Sequence, residues 1–443
     1  MGLEIPIGWL TLLMFGSLLV LLMAGLPLSF VTGGLACIFL FLLNDARMLN
    51  MVPSRVFPLM TDYQLSAIPL FIFMAAMLER AGLIGEMFDV IYKLLGGVRG
   101  GLASATIFAS TLLAAMVGII GAAVVTMGII ALPAMLQRNY DDKIAMGAIM
   151  AGGTLGILIP PSILAIIYAV VAEQSVGELF VGSVIPGLML SGMYIGYVSL
   201  RCWLQPELGP AIPVEERLDF REKLRLASTM TAPVVLIVLV LGVIFTGVAT
   251  PVEAAGLGTF GSFVVAALHR RLDWLTVREA CLTTLKATSM VLWIMFGATV
   301  FVGLYVLQGG QEFVTSALEG TGLGRWGVLI LMQIILILLG MFLDWVGILL
   351  LCVPIFVPII KGLGFDPLWF GVLYLVNMQM SFLSPPFGYA LFYLRGVAPP
   401  RIPMANIYMA ALPFLAIQMI GLTLCMIFPG LITWLPGQVY GGQ

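Results

Sequence analysis

The sequence predicts an all-α protein that crosses a membrane many times. We expect two inverted-topology repeats, each with a re-entrant helical hairpin and a broken transmembrane helix. Three observations support this fold class. Of the 443 residues, 61% are hydrophobic and 9% are charged, with a mean hydropathy of +1.13, whereas soluble proteins carry about 25% charged residues. Two long apolar runs each contain a Pro-Pro pair, and similar residues recur at a constant offset along the chain.

The membrane-spanning helices are predicted from apolar segments, since crossing the hydrocarbon core takes about 20 residues. We expect spans at about 7–25, 28–43, 64–80, 181–204, 229–249, 253–268, 287–308 and 407–428, with broken spans at 144–172 and 367–397. The five cysteines lie scattered in apolar surroundings, which favours buried core residues over disulfides or metal ligands. The single histidine, His269, lies beside two arginines, so the sequence gives little support to haem, zinc or histidine-based catalysis.

Two further apolar stretches, 101–137 and 326–361, are flanked by charged residues and have turn-like centres at 117–121 and 343–347. Each arm would then contain about 16 residues and measure about 24 Å, which is shorter than the hydrocarbon core. We therefore predict two re-entrant hairpins whose tips meet near the membrane midplane. Two short, tilted spans in each stretch are the alternative.

The two breaks are predicted at residues 152–162 and 377–387, which end in Pro160-Pro161-Ser162 and Ser384-Pro385-Pro386-Phe387. A Pro-Pro pair removes backbone donors and forces the preceding residue out of the α region, so each helix is interrupted there. Irregular backbone at membrane depth is tolerated only where it is buried in protein or lines a cavity. Breaks at matching positions in two halves of a chain are typical of a transporter binding site.

An internal duplication of about 220 residues is indicated by matches at an offset of 225. The pairs are Phe71 with Phe296, Gly85 with Gly310, Phe88 with Phe313, Gly97 with Gly322, Met116 with Met341, Pro133 with Pro358, Asp141 with Asp366, Pro160-Pro161 with Pro385-Pro386, and Tyr168 with Tyr393. The first repeat is then 1–205, with hairpin 101–137 and broken helix 144–172. The second is 229–443, with hairpin 326–361 and broken helix 367–397.

Residues 206–228 form the only sizeable polar segment and are predicted to be a cytoplasmic connector between the repeats. Residues 82–100 and 272–286 alternate between charged and apolar positions, which favours amphipathic helices lying in the membrane interface.

The orientation in the membrane follows from the positions of lysine and arginine, which concentrate on the cytoplasmic side. With the N-terminus outside, sixteen of these residues face the cytoplasm and four face outside, namely Arg47, Arg55, Arg325 and Lys361. An odd number of crossings separates the repeats, so the second repeat runs inverted and both termini lie outside.

The broken helices indicate the chemistry. A half-helix that ends inside the membrane leaves free carbonyl groups, which can bind Na⁺, and the half-helix that follows has free N–H groups, which can face a carboxylate. Hard cations prefer oxygen ligands. The Na⁺ candidates are therefore Gly118, Gly121, Gly153, Thr154, Gly156, Asp344, Gly347, Asn377, Gln379 and Ser381, and the substrate-binding candidates are Pro160, Pro161, Ser162, Ser384, Pro385 and Pro386. Tip 117–122 is expected to meet break 152–161, and tip 343–347 to meet break 377–386.

Asp344 is an intramembrane charge, and such charges are costly and usually functional. We interpret it as a cation ligand, and capping of the second hairpin arm is the alternative. The glycines at 152, 153 and 156 also allow a second interpretation, namely close helix packing. Arg395, just past the second broken helix, is either a partner for a substrate carboxylate or an anchor at the cytoplasmic surface.

These motifs resemble the large membrane subunit of tripartite ATP-independent periplasmic (TRAP) transporters. The resemblance rests on Gly153 through Ser162, Leu132-Pro133-Ala134-Met135-Leu136, Phe342-Leu343-Asp344, Asn377 through Pro386, and Ala411-Leu412-Pro413-Phe414, and it covers essentially the whole chain. One departure is the first hairpin tip, where many relatives carry serines and this chain has Val117-Gly118-Ile119-Ile120-Gly121-Ala122. A side-chain hydroxyl ligand is absent from that tip.

The resemblance implies an elevator-type secondary transporter, similar to the ion transporter superfamily, with a fixed scaffold and a transport domain that holds both hairpins. It also implies Na⁺ as coupling ion, a small four-helix membrane subunit, and a periplasmic solute-binding protein, in the inner membrane of a bacterium. Both termini would be periplasmic. Implied substrates are C4-dicarboxylates, sialic acid and other organic acids, and residues 379–388 resemble a branch associated with 2-oxo acids or mannitol.

Other function classes fit less well. A proton-coupled transporter of the same architecture is disfavoured because intramembrane carboxylates are scarce apart from Asp344. An intramembrane protease of the aspartyl type needs two intramembrane aspartates, and one of the serine type needs a serine with a partnered histidine. Neither set of residues is apparent in the sequence. Buried hairpins suit alternating access better than an open channel, and no nucleotide-binding motif suggests ATP as the driver.

Overall fold

The computed structural model describes residues 5–43, 46–95, 97–117, 120–211, 222, 226 and 230–441. This part of the chain forms twenty α-helices and contains no β-strand. The helices of the first half are α1 (Ile7–Met23), α2 (Leu28–Leu43), α3 (Met51–Met60), α4 (Ala67–Arg80), α5 (Leu83–Leu95), α6 (Gly101–Val117), α7 (Ile120–Gln137), α8 (Asp142–Thr154), α9 (Ile163–Ala172) and α10 (Val176–Leu204).

The helices of the second half are α11 (Thr231–Phe245), α12 (Pro251–Leu268), α13 (Trp274–Leu307), α14 (Gly310–Glu319), α15 (Arg325–Gly340), α16 (Trp345–Gly362), α17 (Pro367–Leu383), α18 (Tyr389–Val397), α19 (Met404–Ile427) and α20 (Gly430–Tyr440). Of the described helices, α10, α12, α13, α16 and α19 are by themselves long and apolar enough to cross a membrane. Residues 47–60 and 63–80 form a further pair of helical segments, bent by 60°.

Both predicted hairpins are present as pairs of packed helices, α6 with α7 and α15 with α16. The arms contain 17, 18, 16 and 18 residues, so each measures about 24–27 Å, somewhat less than the hydrocarbon core, although α16 by itself still has the length and hydropathy of a crossing helix. The first tip includes residues 118 and 119, which lie outside the described residues.

The duplication is visible in the helix bounds. Adding 225 to Ile120–Gln137 gives 345–362, which are the bounds of α16. The same shift carries α8 (142–154) onto 367–379 within α17, and α9 (163–172) onto 388–397, one residue from α18. The predicted repeat of hairpin followed by broken helix is therefore confirmed at the level of secondary structure.

The two hairpins open at opposite ends of α10, which has 29 residues and is about 43 Å long. At its C-terminal end, the Gly100 and Asp141 N–H groups at the open end of the first hairpin donate to the carbonyls of Gly209 (2.9 Å) and Leu208 (3.0 Å). At its N-terminal end, a Cβ on Gly182 would contact Val372, near the start of α17 and the open end of the second hairpin. The repeats therefore run inverted.

Ion pairs join the ends of other helices. Arg80 at the end of α4 bonds Glu279 (2.9 Å), and Glu86 on α5 bonds Arg271 (3.3 Å). The charged ends of α4, α5 and α13 therefore lie on one side, as the distribution of arginine and lysine predicts.

The amphipathic interpretation of 272–286 as a separate helix is wrong, because this segment is the first part of the continuous helix α13. Asp273 caps that helix by accepting a hydrogen bond from the Thr276 N–H (2.6 Å), which holds the pKa of this carboxyl below its usual value. Residues 274–296 contain no glycine or proline to interrupt the helix. The amphipathic helix expected in 82–100 is present as α5. Of the predicted connector 206–228, most lies outside the described residues.

Candidate functional site

The first broken helix is interrupted between α8 and α9. Asp141 caps α8 by accepting hydrogen bonds from the Lys143 and Ile144 N–H groups (3.0 Å each). The α-helix ends at Thr154, a short 3₁₀ turn covers Leu155–Ile157, and the Pro160–Pro161 bond that follows is cis. The segment from Asp141 to Ser162 thus forms a helix, a turn and a new helix start.

Ser162 closes this break. Its hydroxyl donates to the Ile157 carbonyl (2.5 Å) and accepts from the Ala165 N–H (3.3 Å), which caps α9. Pro160, Pro161 and Ser162, which we predicted to contact substrate, are all buried. The Ser162 hydroxyl is therefore used in hydrogen bonds that hold the two sides of the break together.

Thr154 is also bonded within the protein. Its hydroxyl donates to the Ala151 carbonyl (2.8 Å) and accepts from the Gln418 amide on α19 (3.3 Å). Gln418 and Tyr194 are fully buried beside it. Gly153 lies against hairpin arm α7, since a Cβ there would collide with Val124. The first hairpin therefore meets the first break through arm α7, just beyond the predicted tip at 117–122.

The second break has a different construction. Helix α17 continues to Leu383 with no 3₁₀ turn, and the Ser384 hydroxyl donates back to the Met380 carbonyl (2.7 Å). The Pro385–Pro386 bond is cis, Pro385 is half-buried and Pro386 is exposed. Gly388 precedes α18 and, unlike Ser162, provides no side-chain cap. The first N–H groups of α18 are therefore not satisfied by a capping side chain.

A cluster of buried carboxamides lies beside this break on α15 and α17. The Asn377 amide nitrogen donates to both the backbone carbonyl (3.0 Å) and the side-chain oxygen (2.7 Å) of Gln333. Among the described residues, Asn377 Oδ1, Gln333 Nε2 and both amide atoms of Gln379 have no hydrogen-bond partner. Ser381 donates to the Asn377 carbonyl (3.4 Å) and packs against Gly340, where any side chain would collide with it.

Asp344 lies at the second hairpin tip and caps α16 by accepting from the Val346 N–H (3.3 Å). The Tyr374 hydroxyl donates to the neighbouring Trp345 carbonyl (3.4 Å), which joins the tip to α17. Gly347 faces Leu28, with no room for a Cβ. The second tip therefore meets the second broken helix, as predicted.

The hairpins also contact the opposite broken helices. Hairpin arm α7 packs against α18, and a Cβ on Gly121 would come within 3.0 Å of the Tyr393 ring. Hairpin arm α16 packs against α9. The expected pairing within each repeat is thus incomplete, because each hairpin bridges both broken helices. Gly118 lies outside the described residues.

A small cavity of about 110 Å³ lies where these elements converge. The first hairpin contributes Ile120 and Gly121, the first break Ile157, Ile163 and Leu164, the second tip Asp344 and Trp345, and the second broken helix Phe382 and Tyr393. Helices α4 and α13 close it with Ile72, Ala287, Met290 and Val291. Of the predicted site residues, Gly121 and Asp344 line this cavity, and Asp344 is the one carboxylate among its lining residues.

Sequence reasoning missed Gln333 and Gln418, which bond the predicted residues Asn377 and Thr154. Gln333 is the one carboxamide of α15, and Gln418 is the one carboxamide in the predicted span 407–428, so this signal was available in the sequence. Arg395 donates to the Ile402 carbonyl rather than facing the cavity. The candidate site residues carry carboxamide, hydroxyl and backbone carbonyl oxygens and one carboxylate. Oxygen ligands of these kinds suit a hard monovalent cation.

Comparison with known proteins adds an independent observation. A family model described as "Tripartite ATP-independent periplasmic transporter, DctM component" matches residues 15–431. The C4-dicarboxylate TRAP transporter large permease protein DctM of Pseudomonas aeruginosa is 32% identical over 91% of this chain and 92% of its own length. The protein of the same name from Vibrio cholerae is 29% identical over 97% and 98%.

A solved structure shares the fold. The YdaH transporter of Alcanivorax borkumensis, whose topology is described as unusual, superposes with a TM-score of 0.63 at 16% identity, covering 87% of this chain and 90% of its own.

Proposed function

Because the chain belongs to the DctM component family of TRAP transporters, we propose that this large permease takes up a small organic anion together with Na⁺. The anion is a C4-dicarboxylate, a 2-oxo acid or a related carboxylate. Two similar proteins are named as C4-dicarboxylate permeases, which favours a dicarboxylate.

The observation that carries the proposal is the convergence of two hairpin tips and two interrupted helices on one cavity. Interrupted helices supply partial charges of both signs inside the membrane, where a dissolved anion and a cation otherwise have no favourable environment. Beside the second break, buried oxygens of Asn377 and Gln379 have no partner among the described residues. Oxygens of this kind are available to replace the hydration shell of Na⁺.

The roles divide between the two ends of each break. The proposed cation ligands are the carbonyl groups at the end of α8 and the side chains of Asp344, Asn377, Gln379 and Ser381. The uncapped start of α18 offers N–H groups to a substrate carboxylate. At the first break Ser162 already caps α9, so the second break is the better anion site.

The movement we propose is of the elevator type. The hairpins and broken helices, which pack on each other and on α10 and α19, form the transport domain. The other helices form the scaffold. We propose that a small four-helix membrane subunit and a periplasmic solute-binding protein complete the assembly in a bacterial inner membrane, with both termini of this chain in the periplasm.

The proposal is tested in proteoliposomes that contain the permease and both partners. Uptake of labelled succinate delivered by the solute-binding protein should require an inward Na⁺ gradient and should continue without ATP. Uptake that is undiminished in Na⁺-free buffer and is driven by an inward proton gradient would contradict Na⁺ coupling. That result would favour the proton-coupled alternative, with Asp344 as the titrating group.

A further inference from the structure

The carboxamide of Asn377 is held in a single orientation by one residue. Asn377 is fully buried on α17, and Gln333 on hairpin arm α15 is 3% exposed. The terminal atom of the Asn377 side chain that faces Gln333 lies 3.0 Å from the Gln333 backbone oxygen and 2.7 Å from the Gln333 side-chain oxygen. A backbone carbonyl only accepts hydrogen bonds, so the facing group of Asn377 must be the NH₂.

This arrangement removes the usual uncertainty about which end of an amide carries oxygen. Both hydrogens of the Asn377 amide are used by Gln333, and Oδ1 therefore points away from it. In the described residues Asn377 Oδ1 is buried and has no partner. An acceptor buried without a partner inside a membrane is costly, which is the condition expected of a ligand atom in the absence of its cation.

The pair also joins two elements that both reach the cavity region. Gln333 belongs to the second hairpin and Asn377 to the second broken helix. At the end of the same hairpin arm Gly340 packs against Ser381, with no room for a Cβ on Gly340. The two helices are therefore in close contact, and the Asn377 amide has its orientation only while the hairpin is docked.

We propose that Gln333 is a positioning residue that holds Asn377 Oδ1 toward the coupling cation and thereby sets the affinity for Na⁺. This inference rests on the proposed Na⁺-coupled uptake. The contact that the structure shows for the Gln333 side-chain oxygen is the hydrogen bond from Asn377. Its effect is transmitted through the orientation of the neighbouring amide.

The test uses the complete transporter with Gln333→Met and Gln333→Glu. Methionine has a similar shape but offers no comparable acceptor, so the Asn377 amide keeps only its bond to the backbone carbonyl of residue 333 and is held less firmly. We expect the half-saturating Na⁺ concentration for uptake to rise about three- to tenfold, as for the loss of one hydrogen bond. Glutamate retains an acceptor oxygen at the same distance and should leave that concentration at or below the wild-type value.

A second measurement does not depend on transport. Na⁺ binding to the folded protein raises the melting temperature, and at a fixed Na⁺ concentration the rise is larger when binding is tighter. The shift between choline chloride and NaCl should therefore shrink in Gln333→Met and persist in Gln333→Glu. A purely structural role would lower the melting temperature in both salts and leave the shift unchanged. If Gln333→Met does not fold, Gln333→Asn replaces it, since the shorter side chain withdraws the acceptor while remaining polar.

The outcomes separate the two proposals. Wild-type uptake without Na⁺ dependence would overturn the proposed function. Na⁺-dependent wild-type uptake, combined with unchanged Na⁺ affinity in Gln333→Met or Gln333→Asn, would overturn the role of Gln333 alone.

Discussion

The two broken helices occupy matching positions in the two repeats but differ in how the polar groups of the breaks are satisfied. At the first break, Thr154 bonds Ala151 and Gln418, and Ser162 bonds Ile157 and Ala165. At the second break, Asn377 Oδ1 and the Gln379 amide are buried with no partner in the described part of the chain, and α18 begins without a side-chain cap. Beside the first break, Gln418 Oε1 and Ser110 Oγ also have no partner among the described residues. The contrast therefore lies in the residues of the breaks themselves, since α9 begins with a side-chain cap and α18 does not.

This difference shows that duplication of a fold need not duplicate its chemistry. The hairpin tips follow the same division, since Asp344 stands at the second tip and its counterpart at offset 225 is Ile119. A charged ligand is therefore expected to interact chiefly with the second repeat. We expect the first repeat to contribute chiefly backbone carbonyl groups.

The largest expected effect tests whether the two hairpins are inverted. Lys143 and Lys361 lie exposed at the open ends of the first and second hairpins. In a background from which the five native cysteines have been removed, Lys143→Cys should be labelled by an impermeant maleimide only from the cytoplasm. Lys361→Cys should be labelled only from outside. Labelling of both from one side would remove the inverted repeat and the comparison built on it.

The next effect concerns the charge at the second tip. Asp344→Asn should raise the half-saturating Na⁺ concentration for uptake about tenfold or more, because loss of one ligand charge costs about 1.4 kcal/mol or more. Asparagine is nearly as good a helix cap as aspartate, so the helix α16 should remain intact. The measurement is a Na⁺ titration of uptake.

Asp366→Asn is the matched control. Asp366 caps α17 through the Leu368 N–H (2.8 Å) at an exposed position, and its change should leave Na⁺ dependence unaltered. If Asp344→Asn behaves like this control, Asp344 is a cap and not a cation ligand.

The smallest effect compares the serines that flank the two proline pairs. Ser162→Ala loses two hydrogen bonds, one of them a helix cap, and should cost about 1–2 kcal/mol of stability. Ser384→Ala loses one bond to Met380 and should cost about 0.5–1 kcal/mol. The melting temperature of the purified protein should fall further in the first variant, and an equal or reversed order would show that the first break is not the more closed one.

Local sequence features predicted most of the framework. The stretches 101–137 and 326–361 carried flanking charges and turn-like centres, and both fold as helix pairs. Pro-Pro pairs located both breaks, because proline acts on its own helix regardless of tertiary context. Less was predictable where a helix continues past the apolar run, as in α13, or where a short helix follows the last span, as in α20 (Gly430–Tyr440).

The site was predicted less completely because its partners are distant in sequence. Thr154 and Gln418 are 264 residues apart, and Asn377 and Gln333 are 44 apart, and neither spacing carries a local signal. The contact of Gly121 with Tyr393 likewise depends on how one hairpin crosses to the other repeat. Residue type identified the candidates, whereas only packing shows which of their oxygen atoms are already bonded.

The coincidence of helix bounds at offset 225 has a consequence for insertions and deletions. Four residues, 138–141 and 363–366, separate each hairpin from its broken helix, whereas three and six residues, 173–175 and 398–403, follow the two broken helices. Length changes are therefore expected to be tolerated after the broken helices and excluded before them, where a single added residue would shift the register between hairpin and break.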